Sequence, residues 1–93
     1  MSFSVVLPGP LSPLAGGRNR VDVQESPADV GAALAVLFRL YPAIKARVVT
    51  EEGQVRPHVN VFVGDESIRY TGGLATPVPD RAEIVILPAV SGG

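Results

Sequence analysis

Apolar and polar residues alternate along several short stretches of this chain and follow a helical spacing along one longer stretch. His58-Val-Asn-Val-Phe-Val63 alternates cleanly. Successive side chains of a strand point to opposite faces, so Val59, Val61 and Val63 are expected to face a core, with His58, Asn60 and Phe62 facing out. Arg20-Val-Asp-Val23 has the same period. Phe3-Ser-Val-Val-Leu7 is β-branched and apolar and is stopped by Pro8-Gly9-Pro10, which predicts a first strand. Phe3, Val5 and Leu7 should point inward and Val6 outward. Glu83-Ile-Val-Ile-Leu87 is almost continuously apolar, as expected of a central strand ended by Pro88. Its alternation sends Ile84 and Ile86 inward and leaves Val85 and Leu87 outward.

Ser26-Pro27-Ala28-Asp29 predicts a helix start. Ser26 would cap, Pro27 suits the first helical position, and Asp29 occupies the capping-box slot. Val30, Leu34, Leu37, Phe38 and Tyr41 then form one apolar stripe. Pro42 should end this helix one residue earlier, with one more short turn over residues 43–49. The first two strands form a hairpin with a long loop, Ser67-Ile-Arg69 is a short strand at most, and residues 72–80 are rich in turns. The resulting order is β-β-α-β-(β)-β. An α+β fold follows, a mixed sheet of four to five strands with one main helix packed on one face. The first and last strands would pair in parallel at its centre, which is the β-grasp arrangement.

Composition narrows the function. A length of 93 residues favours one domain, expected here over residues 1–88 with a flexible tail at 89–93. The net charge is −1 with no like-charge block, which argues against nucleic acid or an anionic membrane as partner. No apolar run approaches the ~20 residues of a membrane span. The N-terminus lacks the basic start of a signal peptide, so a soluble cytoplasmic protein is expected. The absence of cysteine excludes disulfides, thiolate metal sites and a cysteine nucleophile.

The search for catalytic side chains finds none. His58 is the only histidine and has no second ligand to suggest a metal. A Ser-His-Asp triad needs a pocket in which to converge, and a one-helix domain offers none. The carboxylates fall mostly in turns and at element ends, where solvated charge is the simplest account. Gly16-Gly17 and Gly72-Gly73 read as backbone positions needing positive φ. Gly92-Gly93 differs, because the sequence stops there directly after the last strand. A carboxylate is a poor electrophile until it becomes a mixed anhydride such as an acyl-adenylate. A dipeptide without side chains can thread a narrow channel to such chemistry, and residues 89–93 would reach about 16–18 Å when extended. Val90, Ser91 and Gly92 would form the tail and Gly93 would carry the modified group. Val6, Phe62, Val85 and Leu87 would form an apolar patch leading towards it, with Phe62 as the central anchor for a partner.

Taken together, these residues resemble the MoaD/ThiS family of prokaryotic ubiquitin-like sulfur carriers. The resemblance is strongest over Glu83-Ile-Val-Ile-Leu-Pro-Ala-Val-Ser-Gly-Gly93 and over His58–Val63 with Asp65-Glu66. Tyr70-Thr-Gly-Gly-Leu-Ala-Thr76 is similar to the actinobacterial branch that supplies sulfur for cysteine biosynthesis. One departure is Asp80-Arg81-Ala82, where the family usually has Asp-Gly-Asp before the last strand. The resemblance implies a carrier with no catalytic side chain and no bound cofactor or metal. An E1-like, MoeB-type enzyme would adenylate Gly93 with ATP, and a sulfur donor would convert it to a thiocarboxylate. A sulfur-accepting biosynthetic enzyme, such as a cysteine-synthase-like protein or a thiosugar or cofactor synthase, would then use that sulfur. Conjugation of Gly93 to a target lysine, as in a protein modifier, is the nearest alternative. A non-covalent β-grasp interaction module is the third.

Overall fold

The computed structural model describes residues 1–88; the expected tail at 89–93, with Val90, Ser91, Gly92 and Gly93, lies outside the described residues. Its strands are β1 (Phe3–Val6), β2 (Arg20–Val23), β3 (Val59–Val63), β4 (Glu66–Ser67) and β5 (Ala82–Pro88). Its helices are α1 (Val30–Leu40) and α2 (Pro42–Val48), with short 3₁₀ turns at Ser12–Ala15, Ile68–Tyr70 and Gly73–Ala75. The five strands form one sheet in the order β2-β1-β5-β3-β4. β1 and β5 are parallel, and the other pairs are antiparallel. The expected β-grasp order and its parallel central pair are therefore present.

Two expectations about the helical layer need correction. Helix α1 begins at Val30, and its N-cap is Asp29 rather than Ser26. The Asp29 carboxylate accepts the Ala32 N–H at 2.8 Å, satisfying one of the donors a helix leaves unpaired at its start. The Val30 N–H donates to the Thr76 carbonyl at 2.9 Å, and Asp29 bridges to Pro77. The loop after β4 thus fixes where the helix begins, which puts Pro27 outside it. The second correction concerns length. The expected single turn after Pro42 is a seven-residue helix that buries Ile44 and Val48.

The core lies between the helices and one face of the sheet. Phe3, Val5, Leu7, Val59, Val61, Ile84 and Ile86 come from the sheet side; Val30, Leu34, Leu37, Ile44 and Val48 come from the helices. Each is at most 2% exposed. Burying an aliphatic side chain of this size contributes about 1.5–3 kcal/mol, so this layer holds the fold together. Ala33 and Val36 are also buried, so the covered face of α1 is wider than the apolar stripe. Among the described residues, no helix is long and apolar enough to cross a membrane, and no three His, Asp or Glu side chains group as metal ligands.

Candidate functional site

The face of the sheet opposite the helices holds the outward-pointing residues, as the alternation required. Strand register aligns them. Val6 on β1 lies opposite Val85 on β5, and Val85 lies opposite Phe62 on β3. Three apolar side chains from three neighbouring strands therefore make one row, each half-buried by its neighbours. Leu87, two residues further along β5, sits opposite Asn60 and is 42% exposed. It extends the row towards Pro88, beyond which the tail begins. The alternation is fixed by the buried face: a slip of one residue would send Val61 and Ile86 into solvent.

A charged row borders the apolar one. Asp22 and Glu83 flank Ser4 across β2, β1 and β5. The Arg20 guanidinium spans the three strands, donating to Asp22 at 3.2 Å and to Glu83 at 2.9 Å. Ser4 between them is 5% exposed. The bond to Asp22, then the attraction of Glu83, raises the Arg20 pKa above its ordinary value. Exposed pairs of this kind contribute little to stability, but they fix a charge pattern beside the apolar row. Sequence reasoning treated these carboxylates as isolated solvated charges. Their shared outward phase, Arg20 and Asp22 on β2 with Glu83 on β5, was the available signal.

The turn that feeds β5 shows what the Asp80-Arg81-Ala82 departure does. Ala82 N–H donates to the Pro79 carbonyl at 3.1 Å, and Arg81 takes φ 65°, a left-handed conformation that glycine adopts freely. The N-terminal segment holds this turn. Asp80 accepts the Ser2 N–H at 2.9 Å and lies 3.7 Å from the terminal amine, while the Arg81 N–H donates to the Ser2 carbonyl at 2.7 Å. The hydrogen bond from Ser2 lowers the Asp80 pKa. The turn sits at the end of β5 remote from the tail.

His58 is exposed at the mouth of β3, with no polar partner among the described residues that would suggest catalysis. Gly16, Gly17, Gly72 and Gly73 all take positive φ, as expected of turn positions. The described residues thus bring Val6, Val85 and Phe62 into one apolar row on the open face of the sheet, with Leu87 further along β5.

Comparison with known proteins agrees with this architecture. The model of the ThiS family matches residues 5–93. Sulfur carrier protein CysO of Mycobacterium tuberculosis is 37% identical over 95 residues, covering all of both chains. Small archaeal modifier protein 1 of Haloferax volcanii is 39% identical over 84 residues, 89% of this chain and 91% of that one. The crystal structure of the Amycolatopsis orientalis BexX/CysO complex contains a chain that superposes with a TM-score of 0.86 at 36% identity, covering 98% of this chain and 99% of that one. With the family match spanning nearly the whole sequence and the β-grasp sheet in place, the chain belongs to the ThiS family.

Proposed function

We propose that this protein is a sulfur carrier whose working group is the C-terminal carboxylate of Gly93. The observation that carries the proposal is the full-length similarity to CysO, combined with a central strand that holds Val85 and Leu87 of the apolar row and ends at Pro88, shortly before Gly92-Gly93 in sequence. The Gly93 carboxylate attacks the α-phosphorus of ATP inside an E1-like, MoeB-type enzyme, releasing pyrophosphate and forming an acyl-adenylate. A sulfide-level donor then attacks the carbonyl carbon, AMP leaves, and a thiocarboxylate remains. Its sulfur is the nucleophile for a biosynthetic enzyme of the cysteine-synthase-like or thiosugar-synthase kind. ATP belongs to the activating partner, and the setting is the cytoplasm.

The chain's own part in this chemistry is mechanical. β5, paired on both sides, is a rigid base for the tail. The Val6–Val85–Phe62 row gives both partners a foothold, because two glycines offer no side chain to recognise. The Amycolatopsis CysO is found in complex with BexX, which supports a protein partner for this carrier as well. Adding one residue after Gly93 tests the reading. Sulfur transfer in a reconstituted assay should stop while the fold is unchanged; undiminished transfer by the extended chain would refute it. The similarity to a small archaeal modifier favours a second reading, in which a lysine amine of a target protein attacks the activated Gly93 carbonyl. That reading requires higher-mass species in cells that survive thiol reductant.

A further inference from the structure

The helix side carries a concave surface separate from the open sheet face. A groove of about 520 Å³ runs between α1 and α2. Buried Leu34 and Val49 and partly buried Phe38 and Leu74 make up its apolar lining. Arg39 and Lys45 stand on its rim. Along α1 it extends from Gly31 to Arg39, about 12 Å at the helical rise, which matches about two turns of a partner helix. Gly31 and Gly53 put no side chain across it, and a Cβ at Gly53 would meet nothing within 4 Å. A shallow, open groove of this form suits a peptide better than a small molecule, whose sites enclose most of the ligand.

Charge identifies the occupant. Residues 39–56 carry Arg39, Lys45, Arg47 and Arg56 against Glu51 and Glu52, a local net charge of +2 in a chain of net charge −1. Among the described residues Lys45 has no carboxylate partner, and Arg39 has only an exposed contact with Glu25 at 3.6 Å. The groove therefore combines an apolar lining with Lys45, which has no carboxylate partner among the described residues, and Arg39, whose one carboxylate contact is exposed. We infer that it is a second docking site, for an acidic amphipathic segment of a partner protein. The segment lays its apolar side on Leu34, Phe38 and Leu74 and its carboxylates on Arg39 and Lys45, a helix-in-groove mode of recognition. Because the groove opens on the helix side, a partner can hold the chain there while the apolar row on the opposite face of the sheet stays open. The inference does not depend on sulfur chemistry at Gly93.

The test is an amide-resolved NMR titration of the ¹⁵N-labelled full chain. One probe is a synthetic peptide with leucine at helical spacing and glutamate elsewhere; the other is its glutamine counterpart. The acidic peptide should shift the amides of Gly31, Ala35, Gly53 and Leu74. Arg39→Glu combined with Lys45→Glu, both exposed positions, should weaken it about ten-fold, within the range that two exposed ion pairs supply. Phe62→Ser should leave its affinity unchanged. Absence of groove shifts, equal binding of the glutamine peptide, or shifts confined to the sheet face would overturn the inference. Groove shifts that grow with protein concentration alone would overturn it too, by assigning the groove to a second copy.

Discussion

Replacing Phe62 with serine separates docking from folding. Phe62 points away from the core, yet its ring is half-buried between Val85 and Ser67. Truncating a fully buried phenylalanine costs about 3–5 kcal/mol, much of it from the cavity left behind. On an open sheet face no cavity closes over, so the cost should fall to about 1 kcal/mol. For a domain of this size that lowers Tm by roughly 4–8 °C, more than its outward direction alone would suggest. Val61, its neighbour in sequence, is 1% exposed and faces the helices. Val61→Ser adds an unpaired hydroxyl to the lost methyl groups and should cost about 3 kcal/mol or more. Binding should reverse this ranking. As the aromatic member of the apolar row, Phe62 should contribute about 2 kcal/mol to docking, close to 30-fold in Kd. Thermal denaturation of both variants, with calorimetric titration of Phe62→Ser against the cognate adenylating enzyme, measures the two quantities. An affinity within two-fold of the parent would refute the docking role. A loss of stability as large as that of Val61→Ser would refute the assigned register.

Three further changes address how the frame is built. Asp29→Ala removes the side-chain cap of α1 and should cost about 1 kcal/mol in chemical denaturation, whereas Ser26→Ala should cost almost nothing. Arg81→Gly relieves a left-handed conformation worth about 1–2 kcal/mol, partly offset by the greater freedom of glycine when unfolded. The net gain should be up to about 1 kcal/mol, visible as a raised Tm. Asp80 has a lowered folded pKa, so its clamp on Ser2 stabilises the fold fully above the ordinary value of 3.8 and is lost as pH falls through the lower folded value. Asp80→Asn should therefore be less stable than the parent at neutral pH, and the gap should close in acid denaturation below 3.8.

Much of this architecture was legible where a local pattern and the tertiary structure ask for the same thing. Val59, Val61, Ile84 and Ile86 alternate because one sheet face is buried, so their directions followed from sequence, and the outward set followed with them. The gathering of Val6, Val85 and Phe62 on one face was expected from the alternation combined with the β-grasp strand order, while their alignment residue by residue comes from the pairing register. Helix α1 shows the limit most clearly. Ser26 and Asp29 are both good caps, and the choice between them is made by Thr76 and Pro77, which reach the helix start from the loop after β4. The Arg20 bridge to Asp22 and Glu83 is of the same kind: each residue is unremarkable alone, and the sheet order brings them together. The groove between α1 and α2 was missed because residues 43–49 read as one turn, too short to wall anything.

The central claim is that the Gly93 carboxylate is the site of chemistry, and intact-mass analysis addresses it directly. The protein is incubated with ATP, the cognate adenylating enzyme and a sulfide source, then weighed whole. The account predicts a gain equal to one sulfur replacing one oxygen, located on the C-terminal peptide and absent from a variant lacking Gly93. An unchanged mass under conditions where the enzyme is active on another carrier, or the same gain in the variant lacking Gly93, would contradict it.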